Sequence, residues 1–376
     1  MREYLKHYNL RITALSPIHV GDGGKLGKKE YIQYDSRGPV IVPDTAKMFG
    51  DLQEKRLDGD YEEFMLSDSG SGLGQWLDSK RINEQYAGRW EMYRMDPGDA
   101  FARRTNGGGA TPKEILTFMK DPYGNPYIPG STLKGMLRTA LICYRISREP
   151  ERYKDKISEI TRSASYGKNK KFYLKSETNA LEAAVFHTLE RPNVRKDDAV
   201  NSIMSGFIVS DSKPLPLSQL VLAQKIDYTL RGQEKPLPIL REALKPLSQI
   251  DFELTIDTKT CNIKIEEVFS ALDYFQQEAY KSFYSHFGRG ADAKGTVWLG
   301  GGCGFLSKTI LYPICGKDAL KTTDKVFRAT LSNNNIYGRH KHSSDISNGI
   351  APHVCKCTRY GGKLYDMGMG KIELLN

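Results

Sequence analysis

No apolar run in these 376 residues approaches the length that a membrane span requires. The opening Met-Arg-Glu-Tyr-Leu-Lys-His-Tyr is too polar for a signal peptide. The 6 cysteines follow no regular spacing, which argues against the disulfide scaffold of a small secreted protein. A Walker A loop is also missing, since it places glycine directly before Lys and Ser or Thr, whereas the glycine-rich stretch here leads into Ser307-Lys308-Thr309. These absences predict a cytoplasmic protein with no membrane partner, no cofactor and no NTPase loop. What the chain does hold is positive charge: 55 Lys and Arg against 45 Asp and Glu, a net of +10 with pI near 9.1, which favours an acidic partner. With 39% hydrophobic residues and this length, it is large enough for two domains, each with a core.

The charge is concentrated. Between Lys134 and Lys175 there are twelve Lys or Arg and four acids, a local excess of eight. Tyr144, Tyr153, Tyr166, Phe172 and Tyr173 are interleaved with them, a pattern suited to following a phosphate backbone while rings stack on bases. For Ser163 to Lys171 the alternative is a solvated linker whose lysines serve solubility. Arg103 and Arg104, beside the Asn106-Gly-Gly-Gly109 run, are further candidates for RNA contact.

The stretch from Asp121 to Leu141 organises the rest. Asp121, Pro122, Gly124 and Pro126 are turn residues, Tyr127 and Ile128 close a short strand, and Pro129-Gly130 stops it. Ser131 or Thr132 is the expected N-cap of a helix whose buried stripe is Leu133, Met136, Leu137, Ala140 and Leu141. Lys134 and Arg138 share a face, and Gly135 permits close approach. Dipole, free N–H groups and Lys134 together predict an anion site, the alternative being an ordinary capped helix. An earlier echo aligns Asp35, Gly38, Val42, Pro43 and Thr45 with Asp121, Gly124, Ile128, Pro129 and Ser131. It predicts a structural helix capped by Asp44 or Thr45, because a carboxylate there discourages an anion.

Tyr8 to Leu15 alternates as a half-buried strand, followed by a flexible turn carrying His19, Gly21 and Lys25. His19 is the residue an RNA-cleaving alternative would use, since imidazole titrates near neutrality; no second histidine lies nearby in sequence. The Gly300-Gly-Gly-Cys-Gly304 loop, with Lys308 behind it and Arg289 upstream, can turn backbone N–H groups toward a phosphate; a tight turn is the structural alternative. His340, His342, His353, Cys355 and Cys357 are either a zinc site or a polar loop with a reduced cysteine pair; the spacing lacks the two-residue gap of metal knuckles, and no metal is expected.

Residues 53 to 117 read as a helical insertion, and Glu30–Tyr34 with Val40–Val42 as a hairpin. Strands are expected at Ser205–Ser210, Leu220–Leu230, Gln249–Ile256, Thr296–Leu299, Lys308–Leu311 and Lys371–Leu375, with Pro236 and Pro238 breaking the chain between the second and third. Ile265 to Phe287 is the longest helix, its aromatics facing the core. A boundary between residues 190 and 205 would divide the chain into domains 1–200 and 201–376.

Ile128-Pro-Gly-Ser-Thr-Leu-Lys-Gly135 and its following helix resemble the signature helix of the RAMP superfamily, the RNA-binding proteins of CRISPR systems. Leu15-Ser-Pro-Ile-His-Val-Gly-Asp-Gly23 and Trp298-Leu-Gly-Gly-Gly-Cys-Gly-Phe-Leu-Ser-Lys-Thr309 resemble that superfamily's first-strand end and glycine-rich loop. Order and length look most like the family of fifth subunits of type III-A Csm effector complexes. The resemblance implies an α+β fold of tandem ferredoxin-like (RRM-like) units with helical insertions. It implies a noncatalytic subunit that caps the 3′ end of the crRNA and supports its maturation by recruiting host nucleases. The other Csm subunits and target single-stranded RNA are the implied neighbours. RNA would meet His19, Gly21, Lys25, Ser131, Thr132, Lys134, Gly135, Arg138, Arg289, Gly301, Gly302, Gly304 and Lys308. Target cleavage, which the Csm backbone subunits perform with a loop aspartate after Gly-Gly, is not expected, because Leu26-Gly-Lys-Lys-Glu30 stands there. Some RAMP relatives cut the CRISPR repeat without metal, which is the alternative for His19.

Overall fold

The strand expected from Tyr8 is β1, Leu5–Ala14, and it occupies the middle of a five-stranded antiparallel sheet. The structure is a computed structural model that describes residues 3–68, 70–101, 113–165, 173–290, 294–331 and 336–375. The other strands, in chain order, are β2 Gly21–Leu26, β3 Val40–Pro43, β4 Glu91–Met95, β5 Glu114–Phe118, β6 Phe207–Val209, β7 Leu220–Thr229, β8 Glu234–Leu244, β9 Gln249–Asp257, β10 Thr296–Trp298, β11 Val354–Tyr360, β12 Lys363–Asp366 and β13 Met369–Leu375. Helices include α1 Thr45–Glu54, α2 Asp58–Leu66, α3 Leu73–Ser79, α4 Glu84–Ala87, α5 Gly130–Arg148, α6 Pro150–Ser163, α7 Lys175–Phe186, α8 Ile265–Ser282, α9 Leu311–Cys315 and α10 Ala319–Leu331.

The first sheet runs β10-β13-β1-β9-β6. With α5 between β1 and β6, and α8 between β9 and β13, the order β13-β1-β9-β6 is that of a βαββαβ ferredoxin-like unit. Leu10, Ile12 and Ala14 are buried in one core with the α5 stripe and with Val268, Leu272 and Phe275 of α8. The second sheet, β12-β11-β7-β8-β5-β2, is made from segments that lie between those elements; only β5 and β8 run parallel. Both sheets therefore draw strands from either side of residue 200, and the expected division there does not separate one sheet from the other. First and last strands pair because the register Asn9↔Leu375 to Ala14↔Gly370 places Ile12 and Ile372 together in the core.

The insertion expected after residue 53 is helical through α2, α3 and α4, and it has a core of its own around Met48, Leu52, Phe64, Leu77 and Trp90. Asp44 caps α1 as expected, accepting from Ala46 N and Lys47 N. Several local expectations are corrected. The turn after His19 is strand β2, paired with β5. The hairpin partner of Val40–Pro43 is β4, with only Ile32 bridging from the earlier side. Lys308–Leu311 is not a strand but the junction of a 3-10 turn and α9. Pro236 and Pro238 do not break the chain; they lie inside β8 ahead of Ile239, where its pairing with β5 begins, so the missing N–H groups interrupt no ladder on that side.

Candidate nucleic-acid interface

The expected cap of α5 is corrected first. The helix begins at Gly130 after Pro129, and neither Ser131 nor Thr132 caps it with its side chain. A Cβ on Gly130 would lie 2.3 Å from the carbonyl oxygens of both Val209 and Ser210, so glycine lets the helix start flush against the end of β6. The free N–H of Gly130 then donates to Asp211 Oδ1 at 2.8 Å. A carboxylate from 81 residues away thus takes the place expected for a bound anion. Lys134 donates from Nζ to the Met204 carbonyl at 2.8 Å, and partial burial lowers its pKa. Arg138 pairs with Glu182 of α7 at 2.9 Å. Gly135 has open space before it, and Ser131 is exposed.

His19 sits elsewhere, under the glycine loop. Only 5% exposed, it brings Nδ1 to 2.7 Å from the Glu242 carbonyl, which can only accept; Nδ1 therefore carries the proton. Gly301 N donates to the His19 carbonyl at 2.7 Å, and a Cβ on Gly300, whose φ is +76°, would stand 1.9 Å from that oxygen. Gly21 closes the other side, its Cβ position 3.0 Å from His19 Nε2. Burial, above all, pushes the imidazole pKa down to about 4, and Arg241 and Lys120 push the same way. At neutral pH His19 is uncharged and walled in by glycine backbone, so it holds no second proton to donate as a general acid.

That shift has a sign in stability. Between pH 6.5 and 4 the unfolded chain takes up the His19 proton and the folded one does not, so stability is complete above pH 6.5 and is lost as pH falls toward 4. The loss amounts to about 3 kcal/mol. Urea unfolding at stepped pH should show this slope, and His19→Asn, which keeps a donor toward Glu242 without titrating, should flatten it. An unchanged slope in the variant would remove His19 as the cause.

The glycine loop rests on the outer face of the second sheet. Gly302, at φ +88°, places its Cβ position 2.8 Å from Met367 Sδ and 3.6 Å from Arg241 Cζ; Gly304, at φ +85°, abuts the Lys356 stem. Among the described residues, the amides of Gly302 and Gly304 enter no hydrogen bond. Arg241 stands opposite Ala223 across β7 and β8, and Lys356 opposite Asp227 across β11 and β7. Lys225 lies between Ala223 and Asp227, at the point where the β7–β8 register shifts, and the charges that act on its amine are those of Lys356, Asp227 and Arg241. Lys356 is bound to Asp227 at 2.7 Å. The pKa of Lys225 is lowered by burial and then by Lys356, and that of Arg241 is lowered by burial. Buried Nη1 of Arg241 meets no hydrogen-bond partner. Three cations share one carboxylate beneath a loop with unused amides, and exposed Lys308 stands at the loop's far end. The arrangement can hold an anion.

Of the other expected residues, Lys25 is exposed and paired with Glu114 at 2.9 Å. Arg289 is committed inward, donating to Asp366 Oδ1 at 2.6 Å and to the Leu364 carbonyl at 3.1 Å. The structure thus gathers His19, Gly21, Gly301, Gly302, Gly304 and Lys308 at one place, and leaves the α5 group and Arg289 apart from it in their bonding. Lys225, Arg241 and Lys356 were not among the expected residues, because their proximity arises only from strand pairing. Arg103, Arg104 and residues 166–172 of the basic segment, with Tyr166 and Phe172, lie outside the described residues.

A model of the RAMP superfamily matches residues 11–307. A Streptococcus thermophilus protein named CRISPR system Cms protein Csm5 is 30% identical over 319 residues, 82% of this chain and 82% of that one. The chain belongs to the RAMP superfamily and, within it, to the Csm5 family. A Csm5 from Mycobacterium tuberculosis is 27% identical over 401 residues, 100% of this RAMP chain and 99% of its own. Among solved structures, a chain of the cryo-EM structure of a Csm–crRNA–target RNA ternary complex of a type III-A CRISPR-Cas system aligns with a TM-score of 0.61 at 18% identity, covering 98% of this chain and 100% of that one. The crystal structure of Csm5 from T. onnurineus aligns with a TM-score of 0.61 at 19% identity over 96% and 99%. At those identities the likeness is one of fold. No helix among the described residues of this Csm5-family chain is long and apolar enough to cross a membrane.

Proposed function

We propose that this protein is a subunit of a type III-A Csm effector complex that binds the crRNA backbone, caps its 3′ end and serves assembly and maturation, without catalysing cleavage itself. The observation that carries the reading is the unpartnered buried Nη1 of Arg241 under the glycine loop, among cations that outnumber their carboxylate. A buried guanidinium donor left without an acceptor is costly, and a phosphate oxygen would supply one. The loop amides would add donors that read no base, as a guide of changing sequence requires. Membership of the Csm5 family supports placement in the complex, with the other Csm subunits, target single-stranded RNA and recruited nucleases as partners.

The rival reading, a metal-independent endoribonuclease acting through His19, has the neutral, glycine-enclosed imidazole against it. To test the two, purified protein is incubated with end-labelled repeat-spacer RNA over a salt series, with and without chelator. The expected result is intact RNA in a complex that weakens linearly with the logarithm of salt. Discrete products that vanish in His19→Ala would replace the proposal with a nuclease, and absence of any complex even at low salt would refute binding by the isolated subunit.

A further inference from the structure

The function proposed above makes no use of a second cluster, which packs against Phe327 of α10. Asp345 opens a short helix, Asp345–Asn348, and its side chain is 0% exposed. The two carboxylate oxygens meet two imidazoles, Oδ2 with His342 Nδ1 at 2.8 Å and Oδ1 with His353 Nδ1. Three donor atoms from three residues converge within 4.8 Å of one another. Among the described residues, neither Lys nor Arg forms an ion pair with Asp345. A wholly buried carboxylate demands compensating positive charge. Around the His342 ring stand Phe327, Tyr337 and His340 at ring distances of 4.8, 5.9 and 6.0 Å.

We propose that His342, Asp345 and His353 form a binding site for a divalent transition cation of the zinc class. Two imidazole nitrogens and one carboxylate oxygen are the donor types such ions take at about 2.0–2.2 Å, and three protein ligands leave a fourth position to water. His342 and Asp345 are three apart on consecutive helical turns, while His353 leads into β11. A shared ion would tie the segment after α10 to the strand that carries Lys356, and so brace the face on which the glycine loop rests. The neighbouring group Cys355, Cys357 and Asp366 is the weaker candidate: Asp366 is already bound to the Arg289 guanidinium, and a resident cation repels a second.

The test is independent of RNA. Full-length protein is stripped with chelator, checked by circular dichroism, and titrated with Zn2+ and separately with Co2+. The expected result is close to one ion per chain retained through gel filtration, visible d–d absorption for Co2+, and a rise in Tm with Zn2+. Asp345→Asn with His353→Ala should lose all three signals, while Cys355→Ser should keep them. A stripped wild-type protein that stays folded and takes up neither ion would overturn the proposal, as would full stoichiometry in the folded double variant.

Discussion

Replacing Lys225, Arg241 and Lys308 together by Gln should weaken single-stranded RNA binding by at least about 100-fold near 0.15 M salt and lower the salt slope by about two. The slope follows because each phosphate contact on a single strand contributes roughly 0.7 to it, and three cations are removed. Lys356 is left in place, since its pairing with Asp227 makes it the cation with least charge to offer. Lys134→Gln with Arg138→Gln, by contrast, should change affinity by less than about threefold, because those side chains are engaged with the Met204 carbonyl and Glu182. The measurement is fluorescence anisotropy over a salt series for both variants. Equal losses in the two would return the α5 start to the interface, and an unaltered slope in the triple variant would remove the outer face of the second sheet from it.

Gly300→Ala should be the most damaging methyl in the chain's glycine loop. It would set Cβ 1.9 Å from the His19 carbonyl at a φ of +76°, where both contact and backbone are unfavourable. Overpacking and the left-handed conformation together cost on the order of 3 kcal/mol or more. The only relief is for the loop to lift from His19, which breaks the Gly301 N–H to His19 bond and takes the Gly302 and Gly304 amides away from Arg241. Stability and RNA affinity should therefore fall together, read as the urea midpoint and as anisotropy. Gly301→Ala is the comparison, because its Cβ meets nothing nearer than His19 Cδ2 at 3.2 Å; it should cost less than about 1 kcal/mol. Equal behaviour of the two variants would show that the loop does not rest on His19 as described.

Local chemistry was legible wherever neighbours in sequence decide it. The apolar spacing of Leu133 to Leu141 is the buried face of α5, the Ile265 stripe is the core face of α8, and Asp44 caps α1 because an Asx side chain reaches the next amides whatever lies beyond. The glycine loop also belongs here, since the positive φ values at 300, 302 and 304 suit glycine and are strained for other residues. Pairings across the chain were decided only by tertiary structure. Asp211 at the start of α5, Glu242 holding His19, Leu375 beside Asn9 and Arg241 beneath Gly302 are joined by register and packing, with separations in sequence that no periodicity encodes. The same distinction applies to the polar residues near the C-terminus: the cysteines and histidines are visible as a list, but Asp345 becomes the partner of His342 and His353, and Asp366 that of Cys355 and Cys357, only in the fold, because a carboxylate removed from water must find its charge among whatever side chains the fold brings to it.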